Sequence, residues 1–130
     1  MCENSVASTI DVLVVEDDDM TRQVFCRVAE CLGHTVRSAS TFNTACDEIK
    51  TRAPDLVLTD WDLKSNASGS GADVAAFSLT ENPCTIVIMI TGNDIDQLRR
   101  QTSSLSISAY VRKPVDLSGL RTILNEVLKS

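Results

Sequence analysis

The amino-acid sequence predicts an α/β fold, a five-stranded parallel sheet doubly wound with five helices. Two observations carry this. Short apolar runs alternate with stretches of helical period along the chain, and right-handed crossovers are the only common way to join such units. The strongest runs, "VLVV", "LVL" and "IVIMI", are apolar at every position, as strands covered on both faces must be. No repeat of 20–50 residues and no internal linker interrupts the alternation.

Residues 1–9 read as a flexible lead-in, followed by one domain over residues 10–130. Val12 to Val15 is the first strand, ending at Glu16. In "DMTRQVFCRVAECLG" Met20, Val24, Phe25, Val28, Cys31 and Leu32 recur at helical spacing, with Asp18 or Asp19 as N-cap and Gly33 as the stop. "HTVRSA" is a short second strand. "TFNTACDEIKTRAP" is a helix with Phe42, Ala45, Cys46 and Ile49 on one side, terminated near Pro54. "DLVLTD" is the third strand, and "KSNASGSG" has the composition of a flexible loop. A short helix over "ADVAAFSLT" leads to "CTIVIMIT", the most strand-like segment of the chain. A weak helix runs from Asp94 or Asp96 to about Thr102, and "SAYVRKP" is a fifth strand stopped by Pro114. The last helix is capped by Asp116 and turns Leu117, Leu120, Ile123, Leu124, Val127 and Leu128 inward.

Composition narrows the function. The chain has a net charge of −6 and only 4% aromatic residues, which disfavours direct nucleic-acid contact and binding to anionic membranes. The whole acidic excess lies in residues 1–65. The first residues lack the basic and apolar regions of a signal peptide, and no apolar stretch approaches eighteen residues, so a cytoplasmic protein is expected. Five cysteines without a CxxC pair argue against a disulfide framework or a zinc site. Cys26, Cys31, Cys46 and Cys84 read instead as small reduced hydrophobes inside a cytosolic protein. His34, the only histidine, belongs to a turn at the opposite end of the sheet from the strand ends considered next.

In parallel sheets ligands bind beyond the C-terminal ends of the strands. Those ends carry Glu16 and Asp17 after the first strand, Asp60 after the third, Thr91 after the fourth and Lys113 after the fifth. Carboxylates converging there repel one another by about 1–4 kcal/mol per pair at 4 Å. An all-oxygen site of this kind suits Mg²⁺, which prefers octahedral oxygen ligands and keeps part of its water. A metal-neutralised Asp60 beside one hydroxyl and one ammonium is suited to phosphoryl transfer, and carboxylate nucleophiles that form aspartyl phosphates are one known solution. Neither GxxxxGK[ST] nor GxGxxG occurs, so nucleotide binding of the familiar kinds is not expected.

From Ile10 to Lys129 the chain resembles the receiver domain of bacterial two-component response regulators, with "VLVVEDD", "DLVLTDWDL", "IVIMITG" and "AYVRKP" in order. The resemblance implies a flavodoxin-like sheet of strand order 2-1-3-4-5. It makes Asp60 the phospho-acceptor, with Mg²⁺ held by Glu16, Asp17, Asp60 and the backbone carbonyl of Asp62. Thr91 would hydrogen-bond the phosphoryl group and Lys113 pair with it, while Tyr110 matches an aromatic switch position coupled to Thr91. The Lys113–Pro114 peptide is a candidate for the cis form. Implied partners are a sensor histidine kinase or histidine phosphotransfer protein and a downstream output protein or domain, with a phosphorylation-dependent homodimer as a further outcome. Two features depart from the family pattern: Lys64 follows Leu63 where a proline is usual, and the "KSNASGSGAD" segment is long.

Two alternatives stand beside this reading. "DWDLK" resembles the nucleophile motif of haloacid dehalogenase-type phosphatases, but it lies on the third strand, has Lys64 at its end and leaves no cap domain. A phosphorylation-independent pseudo-receiver is opposed by the presence of Glu16, Asp17, Asp60, Thr91 and Lys113 together.

Overall fold

The structure is a computed structural model that describes residues 9–63, 69–92 and 94–129. The first eight residues of the expected lead-in and residues 64–68 of the expected loop lie outside these. The strands are β1 (Asp11–Val15), β2 (Thr35–Ala39), β3 (Leu56–Asp60), β4 (Ile86–Thr91) and β5 (Ala109–Arg112). They alternate with α1 (Asp19–Cys31), α2 (Phe42–Thr51), α3 (Gly71–Glu81), α4 (Ile95–Gln101) and α5 (Leu117–Lys129). All strand pairs are parallel, in the order β2-β1-β3-β4-β5, as expected.

Side chains alternate between the two faces of a strand, and this divides the apolar runs between two helical layers. Val12, Val14, Leu56, Leu58, Ile88, Ile90 and Val111 face α1 and α5, packing on Phe25, Val28, Ala29, Leu120 and Leu124. On the other face Leu13, Val15 and Val57 meet Ala45 and Ile49 of α2 and Val74 of α3, while Val87 and Met89 meet Ala75 and Leu98. All five residues of β3 are buried, because it is the central strand and covered on both sides. Each fully buried Leu or Ile contributes about 1.5–3 kcal/mol relative to exposure.

Local signals set the helix boundaries. Asp18 Oδ2 accepts the Thr21 N–H at 2.9 Å and caps α1. Gly33 closes that helix at φ +93°, a left-handed conformation that favours glycine. Thr41 and Thr44 cap α2 reciprocally, Asp94 caps α4, and the Asp116 carboxylate accepts the Gly119 N–H at the start of α5. The Lys113–Pro114 peptide is cis.

The structure corrects the sequence reading at several places. Of the apolar residues assigned to one face of α1, Met20 is 76% exposed, Val24 40% exposed and Cys31 also exposed. The core-facing arc of α1 is narrower, running through Phe25, Val28 and Ala29. Leu117 is likewise 48% exposed rather than inward, since it opens α5 before the helix reaches the sheet. Cys84 is exposed in the turn before β4, where its N–H bonds Asn82 Oδ1. Gly71, assigned to the loop, is the first residue of α3. The strands are also shorter than "HTVRSA", "CTIVIMIT" and "SAYVRKP" suggest, β2 and β4 starting later, at Thr35 and Ile86, and β5 spanning only Ala109–Arg112, because each segment includes turn residues outside the ladder. His34 is half-buried in the turn before β2, where Nδ1 accepts the Ile10 N–H at 3.3 Å; burial lowers its pKa.

Candidate functional site

β1 delivers its carboxylates because its last apolar residue is followed directly by Glu16, whose N–H continues the ladder to the Ala39 carbonyl at 3.1 Å. Glu16 is therefore drawn in with the strand and is only 1% exposed. Asp17 follows, half-buried, and Asp18 leaves the group to cap α1. β3 ends on Asp60, 4% exposed and in register with Ile90. The next residue pins the strand end, since the Trp61 N–H donates to the Ile90 carbonyl at 2.7 Å.

These strand ends meet in a cavity of about 370 Å³ lined by Glu16, Asp17, Asp18, Thr21, Asp60, Asp62, Gly92 and Lys113. Lys113 Nζ donates to Asp60 Oδ2 at 3.0 Å and lies 3.6 Å from Glu16 Oε1. The Asp62 N–H donates to Asp60 Oδ1 at 3.3 Å, while the Asp62 side chain is exposed. Thr91 ends β4, 1% exposed, and its carbonyl accepts the Lys113 N–H at 2.8 Å. Tyr110 does not join this group. It lies lower on β5, paired in register with Met89, and its hydroxyl is 2.6 Å from Thr102 Oγ1.

Within the cavity, the clustered carboxylates of Glu16, Asp17 and Asp60 meet one ammonium, which leaves this group two negative charges when all are ionised. The imbalance is visible at Glu16. Burial, and next the charge of Asp60, push its carboxyl up to about 7, against the opposing Asp18 N–H and Lys113. Burial by itself would lower the Lys113 ammonium, but its bond to Asp60 and the charges of Asp60 and Glu16 hold it above its ordinary value.

The donor set fits a hard divalent cation. One oxygen each from Glu16, Asp17 and Asp60 lies within 4.8 Å of the others. Glu16 Oε1 is buried with no hydrogen-bond partner among the described residues, so an acceptor is left for a ligand. Oxygen ligands without sulfur or imidazole match Mg²⁺ rather than zinc.

Two residues that build the site were missed in the sequence. Arg22 Nη1 donates to the Glu16 carbonyl at 3.0 Å and Nη2 to Asp19 Oδ1 at 2.6 Å, bracing the loop that carries the carboxylates. Its position on the polar side of a helix gave no signal. Gly71 packs directly on the backbone at the end of β3: a Cβ there would overlap the Asp60 carbonyl oxygen and come within 2.8 Å of Trp61 Cα. Its N–H donates to the Trp61 carbonyl at 3.0 Å. Within a run of Ser and Gly it reads as loop punctuation, and only the fold reveals the close approach.

Comparisons with known proteins agree with this geometry. A family model described as the response regulator receiver domain matches residues 12–125. The chain is 27% identical over 119 residues to a cyclic di-GMP phosphodiesterase of Thermotoga maritima, covering 92% of this chain and 31% of that protein. It is 26% identical over 122 residues to the phosphate regulon transcriptional regulatory protein PhoB of Escherichia coli, covering 91% of this chain and 51% of that protein. It thus spans about half or less of these curated relatives. Among solved structures, the receiver domain of NtrX from Brucella abortus superposes with a TM-score of 0.83 at 24% identity, covering 92% of this chain and 99% of that one. The beryllofluoride-activated DrrB receiver domain gives 0.80 at 21% identity, covering 95% and 100%. At these identities the structures establish the fold. With the family match over residues 12–125, the conclusion follows that the chain belongs to the response regulator receiver domains.

Proposed function

We propose that Asp60 accepts a phosphoryl group in a Mg²⁺-dependent reaction, from a sensor histidine kinase or a histidine phosphotransfer protein. An Asp60 carboxylate oxygen forms a bond to phosphorus as the bond from phosphorus to the donor's imidazole nitrogen breaks, and the imidazole takes up a proton. Glu16, Asp17, Asp60 and the Asp62 carbonyl would hold Mg²⁺, which neutralises charge on the transferring group. Lys113 already ion-pairs with the acceptor and would stay with it as its charge grows. Thr91, at the end of the neighbouring strand, would donate its hydroxyl to the phosphoryl oxygens. The modified chain would then present a changed surface to a downstream output protein or domain, with cytoplasmic signalling as the setting.

The observation that carries this reading is the buried acceptor. Asp60 is tied to Lys113 inside a carboxylate cluster whose Glu16 Oε1 lacks a hydrogen bond among the described residues. A neighbouring feature supports a protein as donor. The exposed Met20, Val24 and Leu117 line a groove of about 520 Å³ that shares Thr21 and Lys113 with the acidic cavity. An apolar platform at the mouth of the site gives a docking partner area to bury, which a small donor does not need.

The test is intact-mass measurement after incubation with acetyl phosphate and Mg²⁺. One phosphoryl adduct is expected on the wild-type chain, lost without Mg²⁺ and lost in Asp60→Asn. An adduct that persists in Asp60→Asn, or that forms equally well under chelation, overturns the assignment.

A further inference from the structure

We infer that Thr102 is a positioning residue for the phosphoryl site, acting through Tyr110: a hydroxyl latch that holds the tyrosine ring at the far end of α4 in the unmodified chain. The inference rests on the reading of Asp60 as acceptor, with Tyr110 as a ring that turns toward Thr91 on modification, and deepens it by naming what holds that ring back.

Thr102 is the C-cap of α4 and 2% exposed. Thr102 Oγ1 donates to the Leu98 carbonyl at 2.9 Å, and Tyr110 Oη lies 2.6 Å from Thr102 Oγ1. A threonine hydroxyl has one hydrogen. Since that hydrogen goes to Leu98, the Tyr110 hydroxyl is the donor to Thr102 Oγ1. The result is a directed chain from the β5 ring through the cap residue into the backbone of α4. The guanidinium of Arg99 lies 5.2 Å from the centre of the same ring, so α4 holds Tyr110 by its hydroxyl and by its face.

The direction of this hold gives it a consequence. Strands β4 and β5 are parallel and reach the acidic cavity at their C-terminal ends, where Thr91 pairs in register with Arg112. Helix α4 returns the other way, so its C-cap lies at the opposite end of the sheet. Tyr110, two residues before Arg112, thus points its hydroxyl away from Thr91. A ring that turns toward Thr91 must first give up its bond to Thr102. The bond therefore stabilises the unmodified arrangement and opposes any state that moves Tyr110 toward the site, and weakening it raises the fraction of chains competent to bind a phosphoryl group.

The chain has one tyrosine and one tryptophan, and Trp61 adjoins Asp60. These give two separate readouts: the Tyr110 ring resonances in NMR, and Trp61 fluorescence during titration with beryllofluoride and Mg²⁺. Thr102→Val is expected to shift the tyrosine resonances and to tighten beryllofluoride binding about three- to tenfold, the factor associated with one net hydrogen bond. Thr102→Ser keeps the hydroxyl and is expected to restore both. Tyr110→Phe removes the same bond from its other side and is expected to tighten binding by a similar factor. The double variant Thr102→Val with Tyr110→Phe is expected to gain nothing further, because the two act on one interaction. The latch is overturned if Thr102→Val leaves binding unchanged, if Thr102→Ser behaves like Thr102→Val, or if the two single effects multiply. A wild-type chain that binds no beryllofluoride overturns the acceptor reading and leaves the latch no site to control. In that case a tyrosine resonance that still moves in Thr102→Val and returns in Thr102→Ser shows that the bond exists and that the fault lies with the acceptor.

Discussion

Beside the N-terminal end of β1, Asp11, Arg37, Glu48 and Arg52 form a network in which the charges answer one another. The Arg37 guanidinium donates to both carboxylate oxygens of Asp11, at 3.2 and 2.9 Å, to Glu48 Oε1 at 3.1 Å, and to the Glu48 and Arg52 carbonyls at 2.7 Å each. Arg52 Nε adds a third bond to Asp11 at 2.8 Å. At the C-terminal end of the same sheet Glu16 and Asp60 share Lys113 with Asp17 beside them, and Glu16 Oε1 has no hydrogen-bond partner among the described residues. The network at the first end closes the last turn of α2 onto the sheet and sets two carboxylates against two guanidiniums. The second keeps negative charge in place, which costs stability and makes a site for a cation.

The difference is broken most directly at Arg37. Arg37→Ala leaves the partly buried Asp11 with only the exposed Arg52, and strips two carbonyls at the end of α2 of a donor. A loss of about 2 kcal/mol is expected, read as a lower urea midpoint, because Asp11 keeps only one of its two cationic partners and several hydrogen bonds go at once. Phosphorylation by acetyl phosphate should survive wherever the variant is folded. A loss of unfolding free energy under about 0.5 kcal/mol would place this network among surface ion pairs of little worth.

The opposite end should respond to pH instead. The Glu16 carboxyl is held at about 7 in the fold, against an ordinary 4.5. The folded chain thus binds more protons than the unfolded chain in that interval, and stability falls as pH rises through it. In metal-free protein the contribution is fully present below pH 4.5 and lost above 7. Thermal unfolding between pH 5 and 8 should show this decline in the wild type and a shallower one in Glu16→Gln. Equal slopes would show that Glu16 does not carry the strain. Neutralising Asp60 tests the same point from the other side of the cavity. Asp60→Asn relieves repulsion while keeping an acceptor for Lys113, so the metal-free chain should gain about 1 kcal/mol. A destabilised Asp60→Asn would mean that the Lys113 pair outweighs the repulsion.

This contrast also explains what could be read from the sequence. The fold was legible because strands buried on both faces must be apolar at every position, and "VLVV", "LVL" and "IVIMI" leave no other reading once helices separate them. Glu16, Asp17, Asp60, Thr91 and Lys113 were legible because parallel topology sends every strand end to one edge, so position along each strand sufficed. The Asp11–Arg37–Glu48–Arg52 network was not legible, because it joins an edge strand to the end of a helix and no periodicity marks it. Met20, Val24 and Leu117 misled for a related reason. Helical spacing places them with core residues, but at the start of α1 and α5 the apolar face extends past the sheet and lines the groove beside the cavity. Thr102 reads as an ordinary helix-terminal residue until Tyr110 is set beside it.

A final comparison separates a useful unsatisfied group from an idle one. Among the described residues, the buried side-chain atoms without a hydrogen-bond partner are Glu16 Oε1 and Ser78 Oγ. Glu16 lies among carboxylates and an ammonium, whereas Ser78 is fully buried in α3 and takes no part in lining the acidic cavity. If the cost at Glu16 is tied to a ligand and the cost at Ser78 is not, removing each should have different effects. Ser78→Ala removes an unpaired hydroxyl without opening a large cavity and should stabilise the chain by about 0.5–1 kcal/mol in urea unfolding, with Mg²⁺ affinity unchanged. Glu16→Gln should also stabilise metal-free protein, but with weakened Mg²⁺ binding measured by Trp61 fluorescence. If Ser78→Ala is destabilising instead, its hydroxyl is satisfied in solution, and the carboxylate end of the sheet is left as the place where the fold holds a buried polar atom in reserve.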